Sequence, residues 1–250
     1  MGSQRAVAAM GIGALFLWAF AGGMKANDSS GAWQPPSRGG LAKLRALCSA
    51  AGLDEEWTQF LSFVSYGESG WNNLVGLGNP SLFPASAKPN RKASAEAQAN
   101  EAAAAVKAYE RNKERFVSCG HPAVHYQFGS GGWFGLLPAN GLAKLDGTSL
   151  VCLSPFAVFD PPASIAMALG FARALMGWDG FKARPTHLNL RIGWGNPSAM
   201  GDAAILSAKR VRYEKHRKAV GLPAGWLDAE IPSRPPSNVE ELYYAMKGVA

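Results

Sequence analysis

The stretch DEEWTQFLSFVSYGESG, Asp54 to Gly70, reads as one amphipathic α-helix with its own start and stop signals. Trp57, Phe60, Leu61 and Val64 recur at the spacing of a single helical face. Asp54 is a suitable N-cap, because its carboxylate can accept a bond from a free first-turn amide. Gly70 is a suitable stop, because glycine adopts the left-handed conformation that closes many helices. The next position on the apolar stripe is Glu68. A carboxyl is thus expected in the last turn, on the inward side, near the negative end of the helix dipole. Both features favour a carboxylic acid that keeps its proton. That is the requirement for a general acid, and Glu68 is the candidate catalytic residue.

The rest of the chain suits a folded, loop-rich domain around this helix. Hydrophobic residues make up 48% of the 250 residues and charged residues 17%, so most of the chain has enough apolar surface to fold. The net charge of +7 favours anionic partners: a membrane surface, nucleic acid or an acidic polysaccharide. The basic run from Lys209 to Lys218 has few interleaved aromatics, so stacking on single-stranded nucleic acid is not suggested. A solvated helix face is its simpler reading.

Ala6 to Met24 carries no charge and is flanked by Arg5 and Lys25. As a helix it would be roughly 28 Å long, close to the thickness of a bilayer core. It reads as a transmembrane signal anchor over residues 1–25. Ala19-Phe20-Ala21 also fits a small-x-small cleavage site, and a buried helix is the third alternative. Residues 26–40 are polar and rich in Gly, Ser and Pro, as a linker is. A catalytic domain over 41–225 follows, containing an alanine-rich surface helix near 93–116. Residues 226–250 read as a C-terminal tail with a final helix at 239–247. No repeat and no strand-rich region is evident, so the fold class is mainly α.

Cys48, Cys119 and Cys152 are the cysteines. In an oxidising compartment Cys119 and Cys152 are the expected pair, leaving Cys48 buried and free. CGHPAVH places Cys119, His121 and His125 close together, with Cys152 further on, which raises zinc as an alternative. The spacing is not that of a structural zinc site, and an ordinary loop is favoured. No metal and no cofactor are expected.

Three segments, in order, carry a resemblance. Gly67-Glu68-Ser69 ends the first amphipathic helix. GWFGLLP runs from Gly132 to Pro138, and FDPPASIAMALGFARAL from Phe159 to Leu175. Over about residues 41–200 the chain resembles the soluble lytic transglycosylase domain, related to goose-type lysozyme. The resemblance implies a lysozyme-like helical fold with a catalytic cleft. It implies cleavage of the β-1,4 bond between N-acetylmuramic acid and N-acetylglucosamine, with Glu68 as single general acid and base. The substrate's acetamido group would stabilise the oxocarbenium-like centre, and the C6 hydroxyl would close a 1,6-anhydro product. This departs from the usual two-carboxylate scheme.

The candidate substrate-binding residues are Ser69, Trp133, Phe134, Gly135, Trp194 and Asn196. Gly135 stands where the family has glutamine. IGWGNPSA, Ile192 to Ala199, takes the place of the family's third motif, with Trp194 or Asn196 as substitutes for its tyrosine. Expected partners are peptidoglycan strands, the membrane through residues 6–24, and other envelope or virion proteins. The expected location is the inner membrane facing the periplasm, or alternatively a phage virion. A hydrolytic lysozyme and a catalytically degenerate glycan-binding or assembly protein are the alternative functions.

Overall fold

Residues 39–250 are described by a computed structural model. The expected membrane helix and nearly all of the expected linker lie outside them. Among the described residues, no helix is long and apolar enough to cross a membrane. The mainly helical fold class holds.

In chain order the helices and strands are α1 (Leu41–Ala50), α2 (Glu55–Ser69), β1 (Val75–Gly78), β2 (Lys88–Pro89), α3 (Ala95–Phe116), β3 (Gly129–Gly131), α4 (Pro138–Leu142), α5 (Pro161–Met176), α6 (Asp179–Lys182), α7 (His187–Gly195), α8 (Ala203–Val220) and α9 (Val239–Lys247). Short 3-10 turns fill several connections.

Helix α2 is built as its sequence dictates. Asp54 Oδ1 accepts the Trp57 amide at 2.8 Å, and Gly70 closes the other end in the left-handed conformation. Trp57, Phe60, Leu61 and Val64 are buried, and Phe63 joins them. Helix α5 is apolar on nearly every face, the pattern of a helix wholly inside a core. It packs against α4, α7 and α9, while α2 packs against α1 and α8. The core lies between these two helices and their neighbours.

The glycine-rich segments differ from expectation. Residues around 75–90 read as loop, yet they contribute two strands of a small sheet ordered β2-β1-β3. β1 runs antiparallel to β3, pairing Gly76 with Gly131 and Leu77 with Ser130, and parallel to β2. Propensity disfavours glycine in strands, so the sheet is invisible to pattern reading. Tertiary contact with α3 supports it instead.

Two further differences concern α3 and the C-terminal segment. The alanine-rich helix is more than a surface helix. Ser94 caps it, and its small residues Ala105 and Ala108 are buried where it packs on β1, β3 and α4. Alanine lets the helix approach the sheet closely, so a weak apolar stripe suffices. Residues 226–250, which read as a tail, also pack inward. Trp226 and Leu227 are buried, as are Val239, Leu242, Tyr243 and Met246 on α9, which packs on α5 and α1. Full burial of a side chain of this size contributes about 1.5–3 kcal/mol.

Cys119 and Cys152 form a disulfide, and Cys48 is free and buried. The bond consumes both thiols that the zinc alternative needs. Among the described residues, no group of three or more His, Cys, Asp or Glu is placed to hold a metal ion. Burial pushes the Cys48 thiol up to about 12, so it is a poor nucleophile.

Candidate active site

Glu68 stands in the wall of a cavity of about 220 Å³. The end of α2 forms one side through Gly67 and Glu68. The glycine-rich strands form another through Val75, Gly76, Leu77, Ser130 and Gly131. Asn90, Gly132, Gly135 and Arg212 complete the lining. The Glu68 side chain retains 28% exposure, so the last position of the apolar stripe faces the cavity and not the core.

A residue absent from the sequence reading holds Glu68. Arg191, on α7, places Nη2 at 2.5 Å from Glu68 Oε1, and its side chain is only 4% exposed. Its guanidinium carbon lies 5.0 Å from the centre of the Tyr213 ring, a cation–π distance. Arg191 reaches the carboxylate past Gly67, where a Cβ would sit 3.0 Å from its Nη2. A side chain at that position would crowd the guanidinium away. The available signal was an arginine inside the apolar run LNLRIGW, since a buried arginine requires a partner.

Gly135 leaves room for the other carboxylate oxygen. Its backbone is left-handed, with φ +59°, and a Cβ there would lie 3.0 Å from Glu68 Oε2. The glutamine of the resembled family therefore has no room here without moving Glu68. Gly135→Ala is expected to lower stability by about 1–2 kcal/mol through backbone conformation alone. It is also expected to reduce cleavage by displacing Glu68. Denaturant unfolding and turnover on the same preparation would check both, and an unchanged rate would remove Gly135 from the site.

A second carboxylate lies near the first. Glu101, on α3, interacts with the Ser130 hydroxyl on β3, and Ser130 lines the cavity. Burial raises the Glu101 pKa above its ordinary value; Ser130 opposes this and the charge of Glu68 adds to it. Glu101 shares the inner stripe of α3 with Gln98, Ala105 and Ala108. Its position was hidden because the helix reads as solvated. Asp146 pairs instead with Arg115 at 3.0 Å, and Asp160 occupies the N-cap position of α5 near Lys247.

The remaining candidates do not line the cavity, Gly135 excepted. Ser69 Oγ donates to the carbonyls of Ser65 and Trp133, each at 3.0 Å, and so ties the end of α2 to the 133 loop. Trp133 and Phe134 are fully buried, not presented for stacking on sugar. Trp133 Nε1 donates to the Trp71 carbonyl at 2.9 Å. Trp194 is buried among Phe60, Phe134 and Phe171, and its Nε1 donates to the Phe134 carbonyl at 3.0 Å. Asn196 is exposed at the end of α7 and accepts from Ser198 Oγ at 2.8 Å. The glycines that flank these aromatics allow the backbone to turn their rings inward.

Compared with protein-family models, curated proteins and solved structures, the chain matches none.

Proposed function

We infer that the chain is a peptidoglycan-cleaving glycosidase with a lysozyme-like fold. Glu68 is its proton donor to the glycosidic oxygen between N-acetylmuramic acid and N-acetylglucosamine. The observation that carries this reading is a glutamate at the end of a capped helix, one oxygen fixed by a buried arginine, in the wall of a glycine-lined cavity. Glycine walls let a flat, hydroxyl-rich ring approach backbone amides and carbonyls. Arg191 occupies Oε1, which leaves Oε2 as the oxygen that exchanges a proton. In the transglycosylase route Glu68 first protonates the leaving oxygen. The substrate acetamido group supports the anomeric carbon. Glu68 then takes the C6 hydroxyl proton as the 1,6-anhydro ring closes. Anchorage by residues 6–24, in an envelope or a virion, would bring the cavity to the wall.

Glu101 favours a second outcome, hydrolysis. A carboxylate beside the cavity can orient a water and accept its proton while Glu68 protonates the leaving oxygen. The Glu68–Arg191 pair also has the form of a structural buried ion pair, which supports the non-catalytic glycan-binding alternative.

One experiment separates the three. The full chain is incubated with peptidoglycan sacculi and the soluble products are weighed by mass spectrometry, beside Glu68→Gln and Glu101→Gln. Muropeptides lighter by one water, lost only with Glu68→Gln, support the transglycosylase. Hydrated products lost with either variant support hydrolysis. No release by a folded wild type leaves the binding reading.

A further inference from the structure

The cavity wall carries more positive charge than Glu68 uses. Arg191 is committed to Glu68. Arg212, on α8, lines the same cavity with an exposed side chain. Acids near α8 are engaged elsewhere: Asp228 receives both terminal nitrogens of Arg210 at 2.5 Å, and Glu214 receives Arg217 at 2.7 Å. Among the described residues, Arg212 makes no ion pair.

The same wall registers an excess of positive charge at His216, one turn further along α8. Its imidazole is pushed down to about 4, first by burial and then by Arg191 and Arg212. It stays neutral against the Tyr66 ring, and its Nδ1 has no hydrogen-bond partner. Glu101 is not part of the cavity lining, and the charges that act on His216 are those of Arg191 and Arg212.

We propose that Arg212 receives a carboxylate of the bound glycan and so selects acidic amino-sugar polymers over neutral chitin-type ones. The proposal rests on the glycan-cleaving reading and specifies its substrate class. A guanidinium offers a planar pair of donors that matches a carboxylate, and it stays charged at any working pH. In a peptide-free strand the carboxylate is the lactyl group of N-acetylmuramic acid. In a peptide-bearing strand the lactyl group is an amide and the carboxylates belong to the stem peptide. Neutral chitin fragments offer neither.

The test is calorimetric titration of the full chain carrying Glu68→Gln, which prevents turnover. The probes are peptide-free (GlcNAc-MurNAc)₂, its peptide-bearing counterpart, and chitotetraose. The expected result is tighter binding of an acidic probe than of chitotetraose. Adding Arg212→Gln should weaken that acidic probe about tenfold and change chitotetraose less than twofold, with partial recovery in Arg212→Lys. The acidic arm that responds identifies the carboxylate's source. Equal binding of all probes, unaffected by Arg212→Gln, would overturn the proposal while leaving the glycan reading intact. Failure of every probe to bind the folded protein would overturn both. Arg212 is exposed, so its variants should melt with the parent protein, and the melting curve verifies that comparison.

Discussion

Replacing Glu68 with glutamine is expected to lower glycan cleavage by about 10²–10⁴-fold, the usual contribution of a positioned general acid. The substitution is chosen for what it retains. A glutamine Oε1 can still accept from Arg191 Nη2, which lies 2.5 Å from the present Oε1. The amide fills nearly the same volume beside Gly135 but has no proton to give. Turnover should therefore collapse, while the melting temperature falls less than in an alanine variant, because the bond to Arg191 survives although its counter-charge is lost. Glu68→Ala is expected to behave differently. It strands Arg191, which is buried and whose Nε already lacks a partner. An uncompensated buried charge typically costs about 3–5 kcal/mol. The two variants thus separate a catalytic glutamate from a structural one. If the glutamine variant cleaves sacculi at the wild-type rate, Glu68 is not the acid, and its bond to Arg191 is its whole role.

The helices were legible because each carries local signals that tertiary structure reinforces. Asp54, the 57-60-61-64 stripe and Gly70 delimit α2 to within a residue, and Asp160, Pro161 and Gly177 do the same for α5. The sheet was not legible. Its strands are held by pairing and by α3, while VGLG and GSG lack β-branched alternation and their glycines read as turn. At the site, Glu68 was readable because a charge interrupts an apolar stripe. Arg191 and Glu101 lie 123 and 33 positions away in the chain, so no local pattern links them to it. The aromatics show the opposite failure. A tryptophan among glycines resembles an exposed stacking platform. Here the glycines admit close backbone contact, and the indole fills the space behind the loop.

That burial makes Trp133→Ala the sharpest test of the architecture, with an expected loss of about 3–5 kcal/mol, as for other large-to-small core changes. For a domain of this size each kcal/mol lowers the melting temperature by roughly 2–4 °C. The loss has identifiable parts. The indole is fully buried and packs on Gly39, where a Cβ would come within 2.5 Å of the ring. Its Nε1 holds the carbonyl of Trp71, a non-glycine residue with φ +62°. A left-handed conformation costs a side-chain-bearing residue about 1–2 kcal/mol, so it persists only where contacts fix it. Trp71 is fixed on both sides, since its own Nε1 donates to the Ser62 carbonyl at 3.0 Å. Releasing Trp133 therefore frees the segment that follows α2, and with it the register of Glu68 against Arg191. Trp133→Phe should restore part of the packing but not the bond to Trp71, giving an intermediate melting temperature. A sugar-stacking tryptophan would behave in the reverse way: alanine would weaken glycan binding and leave the melting temperature nearly unchanged. Calorimetric melting and glycan titration of the same two variants decide between a tryptophan that holds the site and one that touches the substrate.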